Sequence, residues 1–151
     1  MAISIKNLDA PLGAQIDGVD VSKPLSQTDV NMIESAWRER LVVVFHGQNL
    51  RDPQLIAFSK YFGELDPPGP NPYGEPFNKA HPELNVISNV LENGKPIGNL
   101  GDGEAVWHAD MTYVDVPPPG SYMRWKCRPR TRAVTPISQT CLRLMRRCLR
   151  T

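Results

Sequence analysis

Trp107-His108-Ala109-Asp110-Met111-Thr112-Tyr113, with Pro117-Pro118-Pro119-Gly120 just beyond it, decides how this chain is read. Alternate residues of an extended segment share a face, so His108 and Asp110 are expected on one side and Trp107 on the other, toward a core. An imidazole and a carboxylate presented together are two thirds of a 2-His-1-carboxylate ferrous site. Alone, a His-x-Asp pair is weak: a strand histidine bonded to a neighbouring carboxylate is the plainer reading. The third ligand is missing, because no histidine follows His108 in the 151 residues. His46 ends an apolar run and reads as a strand-edge histidine. His81 precedes Pro82 in a polar loop and reads the same way.

Outward from that stretch, the pattern predicts strands separated by two helices. Ile3 to Asn7 and Ala14 to Val21 alternate apolar and polar residues, as half-buried strands do, with Pro11-Leu12-Gly13 as the turn between them. Ser26 is the expected N-cap of a helix that carries Val30, Ile33 and Trp37 at helical spacing to about Arg40. Leu41 to Phe45 is short, continuous and rich in valine, which predicts a buried strand. Asp52 is expected to cap a second helix with Pro53 at its first position, Leu55, Phe58 and Phe62 inward, and Gly63 at its end. Asp66 to Pro76 reads as a loop, Leu84 to Val90 as a strand, Glu92 to Gly103 as a polar connection, and Ala105 to Val114 as the strand bearing the His-x-Asp pair.

Several of these segments resemble the taurine / 2,4-dichlorophenoxyacetate dioxygenase family of Fe(II)/2-oxoglutarate enzymes. Trp-His-x-Asp-x-Thr-Tyr followed by Pro-Pro-Pro-Gly is similar to the family's iron-binding strand. Pro11 to Asp20 resembles its opening hairpin, Leu41 to Phe45 its first central strand, and Phe62-Gly63-Glu64-Leu65 the end of the helix that follows. The resemblance runs from about Ile3 to about Met123 and stops there.

The resemblance implies a mostly β fold with flanking helices (α+β), part of a double-stranded β-helix or jelly roll that is incomplete at the C-terminus. It implies Fe(II), 2-oxoglutarate as cosubstrate and O₂, with His108 and Asp110 as metal ligands. The reaction is hydroxylation or oxidative cleavage of a small organic acid, releasing succinate and CO₂; the cofactor does the hard chemistry and the protein positions the substrate. Asn71, Tyr73 and Glu104 would border the substrate, although ordinary loop roles suit them as well. The taurine enzymes carry a histidine in the first loop and an asparagine before the metal strand. Here Pro68 or Gly69 and Glu104 stand near those positions, and a carboxylate repels a sulfonate, so taurine is not the expected substrate. Intact family members commonly associate, which leaves a homo-oligomer open.

Composition divides the chain at the point where the resemblance ends. Residues 1–123 hold all 16 acidic residues and 8 of the 17 basic ones. Residues 124–151 hold the other 9 basic residues, no acidic residue and all three cysteines, Cys127, Cys141 and Cys148. In the family a strand ending Glu-x-Pro and then Gly-Gly-Asp-Thr follow the metal strand. Taking the last base of each codon with the first two of the next, Trp125 to Arg128 can encode Glu-Val-Pro, and Arg132 to Pro136 can encode Gly-Gly-Asp-Thr. The tail therefore reads as a shifted frame, expected to be poorly ordered, and the 151 residues as a truncated, inactive fragment. The alternative is a non-enzymatic jelly-roll domain whose basic arm, around Arg143, Arg146 and Arg147, binds nucleic acid or an anionic surface. That arm could form a short basic helix, but Thr131 to Thr140 before it has no helical period and no aromatic residue is interleaved beyond Trp125, and nucleic acid is not the expected partner. The start shows no signal pattern and no apolar run is long enough to span a bilayer, so a soluble cytoplasmic protein without a membrane partner is expected.

Overall fold

A computed structural model describes residues 2–65, 74–76, 78–88, 90–98, 115–116, 120–124 and 142–143. The chain divides into two units, one of Met1–Gly63 with Pro118–Thr151 and the other of Glu64–Pro117.

The first unit is a four-stranded sheet with helices packed on it. Strand β1 (Ser4–Asn7) pairs antiparallel with β2 (Ala14–Asp17), Ile5 opposite Ile16. Strand β3 (Val42–Val44) lies parallel to β2, Ala14 opposite Val43. The tail contributes a further two-residue strand, Leu142–Arg143, antiparallel to β3. A parallel neighbour needs a crossover, and helix α1 (Gln27–Arg40) supplies it. Its inward residues Val30, Ile33, Ala36 and Trp37 are all buried. The far end of α1 is tied to the β1–β2 turn: Gly13 N–H donates to Arg40 O at 2.9 Å, and the Arg40 guanidinium donates to Ala10 O at 3.0 Å.

Two expectations for these strands need adjusting. β1 is exposed along its whole length rather than half-buried. β2 stops at Asp17 because Gly18 takes φ +79° and would set a Cβ 2.3 Å from Ala2 O, a turn that only glycine fits.

Ser26 caps α1 as expected, its Oγ accepting from Asp29 N–H at 3.1 Å. Replacing it with alanine orphans that donor, and Ser26→Ala should cost about 1 kcal/mol, measured by urea unfolding. Leu41 ends the helix in the left-handed region at φ 65°, with its N–H on Trp37 O at 2.7 Å. That turn drops the chain straight into β3, whose Val43 and Val44 are buried.

Helix α2 (Asp52–Ser59) carries a correction: Arg51, not Asp52, is its N-cap. Arg51 is extended, and Gln54 Oε1 accepts from its N–H at 2.8 Å. Asp52 is already the first helical residue, and its carboxylate accepts from Arg124. After Ser59 the chain tightens into a 3₁₀ turn, Lys60–Phe62, and Gly63 leaves it at φ +149°. Tyr61 reaches back, its hydroxyl accepting from Leu25 N–H at 3.0 Å, which ties this turn to the start of α1. The core between sheet and helices is aromatic: Phe45 meets Phe58 edge-on at 5.5 Å, Phe58 meets Phe62 at 5.4 Å, and Phe62 meets Trp37 at 6.0 Å.

In the second unit, the described part of Leu84–Val90 forms no ladder, contrary to expectation. Two of its N–H groups bond locally, Leu84 N–H to His81 O at 3.0 Å and Val90 N–H to Ser88 Oγ at 3.1 Å, while Val90 O accepts from Ile97 N–H at 3.2 Å. The hairpin comes one step later, where only a connection was expected. Strands β4 (Leu91–Glu92) and β5 (Lys95–Pro96) flank Asn93 and Gly94, at φ 52° and 73°. Both left-handed values match the Asn-Gly turn favoured in two-residue hairpins.

Sheet and helices together bear out the α+β reading in its broad form. The described residues do not show a jelly roll, because only one layered sheet and one hairpin are seen. Residues 105–114, expected to add a strand, lie outside the described residues.

Candidate functional site

His108, Asp110, Asn71, Tyr73 and Glu104 all lie outside the described residues, so the structure brings none of them together. Among the described residues no group of three His, Cys, Asp or Glu side chains could hold a metal ion. The donor set His108 and Asp110 nonetheless fits ferrous iron in kind, one imidazole nitrogen and one carboxylate oxygen, and is one imidazole short in number.

The structure does show how the segment after this pair is fastened. Exposure alternates from Ser121 to Arg124, with Tyr122 and Arg124 turned inward. The Tyr122 ring stacks on Phe62 at 5.6 Å and meets Trp37 and Phe58 edge-on at 5.7 and 6.0 Å. Two residues on, the Arg124 guanidinium donates to Leu50 O and to the Asp52 carboxylate at the start of α2. Its side chain is only 15% exposed. A carboxylate in the first turn of a helix also sits favourably against the helix dipole. Reading the sequence alone assigned Arg124 to the aberrant tail and overlooked Tyr122. The two-residue spacing from Tyr122 to Arg124 was the signal for a shared inward face.

Burial, and secondarily the negative charge of Glu34, pushes the Tyr122 phenol well above its ordinary value. The folded state therefore favours the neutral phenol; that preference is intact below the ordinary tyrosine value near pH 10 and is lost as the pH climbs past it. Tyr122 Oη and Trp37 Nε1 are both buried with no hydrogen-bond partner among the described residues. Removing an unsatisfied hydroxyl while keeping the ring relieves a desolvation cost. Tyr122→Phe should therefore leave stability unchanged or raise it by up to about 1 kcal/mol in thermal unfolding.

His46 is exposed at the end of β3, beside an open depression lined by Asp17, Asp20, Lys23 and Gln48. The carboxylates there already have partners. Asp17 accepts from Gln15 at 2.8 Å and pairs with Lys6 at 3.2 Å. Asp20 accepts from Ser22 Oγ at 2.5 Å and pairs with Lys23 at 2.9 Å, which lowers its carboxyl to about 2. A lowered carboxylate contributes stability above its ordinary value near 3.8 and loses that contribution as the pH falls toward 2. This corner is a set of solvated ion pairs.

Comparison with known proteins identifies the relationship. Residues 4–125 match the model of the taurine catabolism dioxygenase TauD, TfdA family. The chain is 33% identical over 106 residues to pentalenolactone F synthase of Streptomyces arenae, covering 69% of this chain and 34% of that protein. It is 31% identical over 121 residues to the alpha-ketoglutarate-dependent 2,4-dichlorophenoxyacetate dioxygenase of Cupriavidus pinatubonensis, covering 75% and 42%. A crystal structure of a taurine dioxygenase from Burkholderia xenovorans is similar at 37% identity and a TM-score of 0.49, over 60% of this chain and 31% of that one. The chain thus spans roughly a third to two fifths of the length of the curated relatives it matches. With about four fifths of its residues inside the family match, the chain belongs to the taurine catabolism dioxygenase TauD, TfdA family.

Proposed function

We propose that this chain is the N-terminal part of an Fe(II)/2-oxoglutarate-dependent dioxygenase acting on a small organic acid in the cytoplasm. The family match over residues 4–125, which contains the His-x-Asp pair, is the observation that carries the reading. His108 and Asp110 are two of the three metal ligands. Bound iron would supply the activation of O₂: one oxygen atom enters the substrate C–H bond, the other enters succinate, and 2-oxoglutarate loses CO₂. Asn71, Tyr73 and Glu104 border the substrate, and Glu104 selects against sulfonates. The sheet and its covering helices belong to a double-stranded β-helix whose other strands come from later in the relatives' chains. Association into homo-oligomers belongs to the intact enzyme.

The same reading makes the 151-residue chain inactive by itself. It has no second imidazole after His108, and its residues 126–151 fall outside the family match. A shifted frame accounts for the basic, acid-free composition of that tail without assigning it a partner. Among the described residues no helix is long and apolar enough to cross a membrane. The test is 2-oxoglutarate-dependent succinate formation by the purified chain. No turnover is expected from the 151 residues, and turnover is expected once the Glu-Val-Pro…Gly-Gly-Asp-Thr frame is restored in the gene. Turnover by the unaltered chain would overturn the fragment reading, and none from the restored one would overturn the enzyme reading.

A further inference from the structure

Between Gly18 and Ser26 the chain belongs to neither β2 nor α1. Part of this stretch bonds within itself: Ser22 N–H donates to Asp20 Oδ1 at 3.1 Å, and Lys23 N–H to Asp20 O at 3.2 Å. Three side chains tie it to the rest of its unit. The Gln48 amide donates to Val19 O at 3.0 Å and accepts from Val21 N–H at 3.0 Å. One residue of a parallel strand would make the same pair of bonds, so here a side-chain amide stands in for a strand. Gln54 Nε2 donates to Ser22 O at 3.3 Å, and Tyr61 Oη accepts from Leu25 N–H at 3.0 Å. All three pins come from residues 48–61. Of residues 19–25 only Val21 is buried, at 2% exposed.

We infer that residues 19–25 form a strap that opens and closes as one unit while the sheet and helices stay folded, with Gln48 as its principal pin. A segment with one buried side chain, held by bonds to side chains rather than by a ladder, is where local opening costs least. Val19, Asp20 and Lys23 line the open depression beside His46, so opening the strap removes one wall of it.

The experiment is amide hydrogen exchange on the full 151-residue chain, followed residue by residue by NMR, for wild type, Gln48→Ala and Tyr61→Phe. In wild type, Val21 and Leu25 should share one protection factor, about tenfold or more below that of Ile33, which is fully buried in α1. Gln48→Ala leaves the bond from Leu25 to Tyr61 in place, yet should lower the protection of Leu25 about tenfold, because the two lost bonds held the whole strap. Tyr61→Phe should lower the protection of Val21 in turn. If each substitution speeds exchange only at the amide whose partner it removes, the bonds act separately and the inference is overturned. Protection of Val21 and Leu25 equal to that of Ile33 in wild type also overturns it, since the stretch would then open only when the protein unfolds. Should Gln48→Ala not fold, the wild-type comparison and Tyr61→Phe, which keeps the ring, decide the matter.

Discussion

Phe58→Ala should leave the protein largely unfolded at room temperature. Phe58 is 1% exposed and touches Phe45, Phe62 and Tyr122 edge-on at 5.4 to 6.0 Å. Truncating a buried phenylalanine removes its transfer free energy and leaves a cavity, together about 3–5 kcal/mol. Lost edge-to-face contacts add about 0.5–1.5 kcal/mol for each aromatic pair. Small domains have about 5–15 kcal/mol in all, and among the described residues few side chains are buried as completely as Phe58. The change also strips support from Tyr122 and hence from the segment after the ligand pair. Circular dichroism at room temperature is the readout: a near-native helical signal from Phe58→Ala would show that the cluster is less central than its burial indicates. Phe58→Leu, which keeps most of the volume, should retain the fold.

His108→Ala is expected to abolish specific metal binding altogether, a larger effect than any substitution outside the ligand set. With His108 and Asp110 as the proposed pair of ligands and no third imidazole after His108, the wild type should bind Co(II) weakly but saturably at a defined stoichiometry. With His108 gone, Asp110 alone is an ordinary carboxylate, and carboxylates without a nitrogen partner favour hard ions over cobalt or iron. The titration should then lose its visible spectrum, because oxygen ligands alone leave the metal in a near-aqueous field. An unchanged spectrum in His108→Ala would place the metal elsewhere and remove the main chemical support for the dioxygenase reading. His46→Ala serves as the control and should bind as wild type does, since His46 is exposed at the end of β3.

The elements that the sequence made legible are those where local chemistry and burial agree. Ser26, the Val30–Ile33–Trp37 stripe and the valine run after Leu41 each specify one structure, and each is found. Misreadings arose where two local signals compete. At Arg51-Asp52-Pro53 an aspartate before a proline looked like a cap, but the glutamine at position 54 bonds one residue further back. From Leu84 to Val90 the apolar character suggested a strand, while the Ser88 hydroxyl captures the Val90 N–H. At Asn93-Gly94 the turn signal was present and was absorbed into a longer polar stretch. For the candidate site, the His-x-Asp pair was legible through its flanking Trp107, Thr112-Tyr113 and Pro117-Pro118-Pro119-Gly120, whereas the partners of Arg124 lie 72 and 74 residues earlier in the chain, and its spacing from Tyr122 shows only that the two share a face.

Those partners also serve as a ruler along the gene. Arg124 meets both a helix-start carbonyl and a helix-start carboxylate, and under the shifted frame proposed above its codon would precede the shift. The family match ends one residue later, at Trp125. Tryptophan has a single codon, TGG, and a glutamate codon after it would begin with another G. Deleting one guanine from TGG-GAA-GTG-CCG, which spells Trp-Glu-Val-Pro, leaves TGG-AAG-TGC-CG, the start of Trp-Lys-Cys-Arg, the residues at 125–128. Under the frame proposed above, a three-guanine run just past codon 124 is where sequencing the gene would show one base missing.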